Sequence, residues 1–118
     1  MMEEKKPTRY YSDLQEKAVC KALGGTQQPN SGAGKWRKGD ILLKEASMLC
    51  ECKTSVSEKS SYSIKKEVIE KTKKEAHSNR LLNSCLCFDF GPNTDRYYVI
   101  DENMMKYLIE CLKKENEF

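Results

Sequence analysis

A chain of 118 residues, one third of them charged and with a net charge of only +3, has room for one domain built around a single sheet. The mildly basic balance is compatible with a polyanionic ligand without requiring one. No apolar run approaches the ~20 residues of a membrane-spanning helix and no signal-peptide pattern is present, so a cytoplasmic protein is expected.

Met1 to Thr8 is charged and expected to fray. Ser12-Asp13-Leu14-Gln15 has the capping-box pattern, which predicts a helix with Ser12 as N-cap, running to about Leu23. Leu14, Ala18, Val19, Ala22 and Leu23 would form its buried arc, with Lys17 and Lys21 on the far side. Glu16 falls at the edge of that arc. By itself it reads first as a surface glutamate, but it could reach over a sheet edge. Gly24-Gly25 ends the helix.

Thr26 to Arg37 is a polar, Gly-rich stretch expected to be a loop. Asn30-Ser31-Gly32-Ala33-Gly34 can expose backbone N–H groups, and Lys35, Arg37 and Lys38 add positive charge around Trp36. The combination suits a phosphate backbone, and it equally suits a flexible loop with Trp36 packed as a cap on the core. The Gly-Lys-Ser/Thr ending of a P-loop is missing.

Lys38 to Lys53 predicts a β-hairpin. Ile41-Leu42-Leu43 and Met48-Leu49-Cys50 are its apolar runs, and Lys44-Glu45-Ala46-Ser47 is its turn. A four-residue loop sets Leu43 opposite Met48, Leu42 opposite Leu49 and Ile41 opposite Cys50, and Asp40 then faces Glu51. Like charges directly opposite one another repel, whereas a hard cation such as Mg²⁺ between them would attract both. Alternation places Glu51 and Lys53 on the face of Asp40, and Ile41, Leu43, Met48, Cys50 and Cys52 on the other, which suits a core. Paired carboxylates with an ammonium alongside suit metal-assisted hydrolysis. A solvated strand face with an ordinary ion pair is the competing reading.

Thr54 to Ser61 is a Ser/Lys loop. A second helix is predicted from Tyr62 or Ser63 to Ala76, with Ile64, Val68, Ile69, Thr72 and Ala76 inward and a lysine-rich outer face offset by glutamates. Lys66 lies near its start, on the end that could approach the carboxylates. His77, the one histidine, lies at the helix end and supports no Ser/His or Cys/His arrangement. Cys85 to Phe90 reads as a strand, with Leu86, Phe88 and Phe90 on one face and Cys85, Cys87 and Asp89 on the other; Tyr97 to Ile100 returns as a second strand. Asp101 or Asn103 caps a last helix with Met104, Tyr107, Leu108, Cys111 and Leu112 along one stripe, expected to be core. The paired cysteines Cys50/Cys52 and Cys85/Cys87 read as small buried residues rather than a zinc site or disulfides.

The predicted order is helix, two or three short strands, helix, two strands, helix. On it sit Lys38-Gly39-Asp40, then Glu51-Cys52-Lys53 eleven residues on from Asp40, after a helix carrying Glu16. This arrangement resembles the PD-(D/E)xK nuclease superfamily, with Gly39 where that family has proline. More narrowly it resembles the small archaeal and phage-type Holliday-junction resolvases, through Glu16, the Asn30–Gly34 loop, Lys38-Gly39-Asp40 and Ser63-Ile64-Lys65-Lys66-Glu67. The resemblance implies an α/β, restriction-endonuclease-like core with a mixed sheet of four to five strands flanked by helices, all in one nuclease domain. It implies Asp40, Glu51 and the backbone carbonyl of Cys52 as ligands to Mg²⁺, or Mn²⁺ in its place, with Glu16 helping directly or through water. Lys53 would be catalytic. Ser31, Gly32, Lys35, Arg37, Lys38 and Lys66 would contact branched or double-stranded DNA, and a homodimer would act on opposed strands. A flap, nick or restriction-type nuclease and a non-catalytic nucleic-acid-binding subunit are the alternatives.

Overall fold

The computed structural model describes residues 6–27 and 40–117. Over the described residues the chain is α/β: three helices and one mixed five-stranded sheet, in the order α1 (Thr8–Leu23), β1 (Thr26–Gln27), β2 (Asp40–Leu43), β3 (Met48–Lys53), α2 (Lys66–Ser78), β4 (Asn83–Asp89), β5 (Arg96–Val99) and α3 (Glu102–Glu115). The strands lie side by side in chain order, antiparallel except for β3 and β4, which are parallel and joined through α2.

The β2–β3 hairpin has the expected register. Leu43 pairs with Met48, Leu42 with Leu49, Ile41 with Cys50 and Asp40 with Glu51. Its connection is a single 3₁₀ turn, Lys44–Ala46, closed by Ser47 in the left-handed region. Ser47 also receives the Leu82 N–H on its hydroxyl and the Asn83 N–H on its carbonyl. The turn therefore fixes where β4 begins beside β3.

Val19 of α1 packs on a sheet face built from Ile41, Leu43, Cys50, Cys52, Cys85 and Cys87, all buried. The cysteines are free, and small thiols suit a sheet centre crossed closely by a helix. Contacts with the neighbouring thiols Cys50 and Cys87, together with burial, push the Cys52 thiol up, and contact with Cys50 plus burial does the same for Cys85, so both stay protonated. By alternation Leu49, Glu51 and Leu86 lie on the opposite face, which α2 covers with Thr72 and Ala76.

Several local expectations are corrected. Helix α1 starts at Thr8 after Pro7, not after Ser12; proline's fixed φ suits a helix start, so Ser12 and Gln15 fall inside the helix and Gln15 is free to reach elsewhere. The buried residues of α1 are Gln15, Glu16 and Val19, while Leu14 and Leu23 are about half exposed. The Gly-rich stretch expected to be loop opens as strand β1. Helix α2 starts at Lys66 because Tyr62 stacks on Phe88 and Lys65 is still extended, which leaves Ile64 exposed. Asp101 caps α3, accepting from the Met104 N–H, but no residue of α3 is buried, so its stripe is not core.

Candidate functional site

Two buried carboxylates lie on either side of the hairpin's open end. Glu51 comes from β3 and is only 3% exposed. The Lys53 ammonium, two residues along the same face, stands 3.2 Å from its Oε1 and remains 43% exposed. Lys53 is thus half in water and half against a buried anion, a position from which an ammonium can reach an incoming phosphate. Asp40↔Glu51 is the last β2–β3 pair among the described residues, and Cys52 and Lys53 continue along a stretch where β3 pairs with β4. The Asp40 backbone is held opposite Glu51 by the register.

Glu16 comes from α1 and is 2% exposed. Its Oε1 accepts a 3.0 Å hydrogen bond from the Gln27 amide on β1. Burial pushes its carboxyl above the ordinary range, against the lowering effect of Gln27 and Arg9; Asp13 and Glu51 push it further up. Glu51 is the weakest of these influences: α1 covers one face of the sheet, and alternation puts Glu51 on the other.

Sequence reasoning missed the residues that hold this end together. The Gln15 amide donates to the Lys53 carbonyl at 2.6 Å and to Asp89 Oδ2 at 3.2 Å. Asp89, 7% exposed, also accepts from the Thr54 hydroxyl at 2.7 Å and from the Gly91 N–H at 3.1 Å. The clamp ties α1, the end of β3 and the end of β4 to one another, and so fixes the backbone that carries Lys53. A signal was present for Asp89, an acidic residue at a core-facing strand position. Gln15 was hidden by its fit to a capping box.

Lys66 opens α2 on the surface, and its ammonium pairs with Glu70 at 3.5 Å rather than with either buried carboxylate. Ser31, Gly32, Lys35, Arg37 and Lys38 lie outside the described residues, as does the side chain of Asp40. Among the described residues no three His, Cys, Asp or Glu side chains are arranged to hold a metal ion. The donors present are nonetheless of the right kind for a hard cation: the carboxyl oxygens of Glu51 and Glu16, both buried. No family model, curated protein or solved structure matches the chain.

Proposed function

We propose that the chain is a metal-dependent endodeoxyribonuclease of the PD-(D/E)xK type with a restriction-endonuclease-like core, acting on branched DNA such as a Holliday junction. The observation that carries the reading is the register of Asp40 with Glu51, with the Lys53 ammonium 3.2 Å from Glu51 on the same face. A hairpin selected only for stability would not set two carboxylates opposite each other and bury one of them.

Asp40 and Glu51, with the Cys52 carbonyl, would hold Mg²⁺ or Mn²⁺. When bound there, such an ion lowers the pKa of a coordinated water and polarises a phosphoryl oxygen. Lys53 donates toward the scissile phosphate or the attacking water and offsets charge as it develops in the transition state. Glu16, with its raised carboxyl pKa, is suited to hold a proton or a bridging water at the sheet edge next to Gln27. Gln15 keeps the Lys53 backbone fixed while its side chain moves. In-line attack would leave 5′-phosphate and 3′-hydroxyl ends. Ser31, Gly32, Lys35, Arg37, Lys38 and Lys66 would contribute phosphate contacts, and two subunits would offer one active centre to each opposed strand.

The test is incubation with an end-labelled four-way junction, a flap and a linear duplex, in Mg²⁺ and in EDTA. Junction cleavage that depends on Mg²⁺ is expected. Cleavage of flap or duplex alone would assign another nuclease of the same type, binding without cleavage would assign a non-catalytic subunit, and undiminished cutting in EDTA would end the metal reading.

A further inference from the structure

Beside the candidate site lies a group of aromatic rings that the proposed chemistry does not use. Lys53 registers with Phe88 on β4, and Phe88 with Tyr97 on β5. The three residues form one row across the sheet, so Tyr97 is two strand spacings, ~10 Å, from Lys53. Tyr62, from the segment ahead of α2, stacks on Phe88 with centroids 4.7 Å apart and planes at 10°. Tyr97 lies alongside Phe88 at 5.8 Å and 28°. Phe90 closes the group edge-on, 5.6 Å from Phe88.

The backbone is shaped to hold this group. Gly91 has φ +122, and a Cβ there would come within 2.6 Å of Glu58 Cα. The Lys59 N–H donates to the Phe90 carbonyl at 2.8 Å. The close approach presses the 57–62 segment onto the end of β4 and delivers Tyr62 onto Phe88. The outermost ring, Tyr97, remains 48% exposed. It borders an open groove of about 480 Å³ that Lys59 and Phe90 also line.

We infer that this row is a stacking platform for an unpaired DNA base, so that the substrate is DNA with at least one unstacked nucleotide next to the cleaved bond. The inference rests on the nuclease reading for its location and deepens it by naming what the enzyme recognises. Near-parallel rings with an exposed outer member offer a π-face to any base, which is how single-stranded nucleic acid is held without sequence preference. Charge fixes the direction of approach. Glu58 and Asp95 line the groove beside Tyr97 with a single lysine, Lys59, among them and disfavour phosphates there, while Lys53 stands at the other end of the row. The sugar-phosphate chain therefore passes on the Lys53 side and the base turns onto Tyr97. A paired base in a continuous duplex cannot make this contact.

The test uses oligonucleotides carrying 2-aminopurine, whose fluorescence falls on stacking, in Ca²⁺ to suppress cleavage. Wild type is expected to quench the single-stranded probe more than the matched duplex. Tyr97→Leu should lose that quenching and bind the single strand ~10-fold more weakly, the scale of one base–aromatic contact, while Tyr97→Phe should retain both. Equal quenching by wild type and Tyr97→Leu, or equal quenching of single strand and duplex by wild type, would overturn the platform. A change in the sedimentation of DNA-free Tyr97→Leu with quenching unchanged would assign the patch to a protein contact and likewise overturn it. The duplex comparison uses wild type alone, so the test survives a variant that fails to fold. Tyr97-dependent quenching by a protein that cleaves nothing in Mg²⁺ would keep the platform and reject the nuclease.

Discussion

Glu51 and Glu16 are buried to the same degree, at 3% and 2% exposure, and the fold treats them in opposite ways. Glu51 has an ammonium at 3.2 Å. Glu16 has one neutral amide and a carboxyl pushed up by burial. Burying a carboxylate is costly unless it is paired; Glu51 has its ammonium, and the α1 carboxyl is held closer to its neutral form. Under the proposed function, the paired β3 carboxylate would be the cation ligand and the α1 carboxyl its helper.

The difference can be broken at the strongest point first. Asp40→Asn and Glu51→Gln should each lower Mg²⁺-dependent junction cleavage by ~10³-fold or more, the scale of losing a directly acting group, measured under single turnover. Lys53→Ala should lower the same rate by ~10²-fold. It should leave junction affinity in Ca²⁺ close to wild type, since under the proposed function many other basic side chains would supply phosphate contacts. Parallel losses of rate and affinity would make Lys53 an ordinary phosphate-binding lysine.

Glu16→Gln should cost less, ~10-fold in rate, as expected of a group that acts through its neighbours. Its clearest effect is on stability. The folded state holds the Glu16 proton more tightly than the unfolded chain does, so metal-free stability falls as pH rises from the ordinary value of 4.5 through the raised folded value. Above that window the glutamine variant, which keeps an acceptor for Gln27, should unfold at a higher temperature than wild type. Below pH 4.5 the two should converge, and parallel thermal melts across pH would show it. Glu51→Gln should show no such gain, because Lys53 would lose its partner.

The hairpin and the Thr72/Ala76 face of α2 were legible in the sequence, and the buried faces of α1 and α3 were not. Two apolar runs around a four-residue polar turn leave one register that keeps Ile41, Leu43, Cys50 and Cys52 on the core face, so Asp40↔Glu51 follows from counting. Alternation likewise placed Lys53 with Glu51. Helix α1 buries Gln15 and Glu16 because their partners come from other elements: Gln27 is 11 residues away, Lys53 is 38 and Asp89 is 74. A window of local sequence contains none of them, so the apolar pattern promoted Leu14 and Leu23 instead. In α3 the pattern gave the helix correctly and its burial wrongly, because periodicity reports a face but not whether anything covers it.

The central claim is that the Asp40/Glu51 pair holds a divalent cation. The most direct measurement is a Mn²⁺ titration of metal-free wild type, Asp40→Asn, Glu51→Gln and Lys53→Ala, followed by thermal unfolding. Mn²⁺ should raise the midpoint of wild type and of Lys53→Ala and leave both carboxylate variants where they were, since only a site that binds the folded state shifts the equilibrium. The same Mn²⁺ response in all four proteins would contradict the claim.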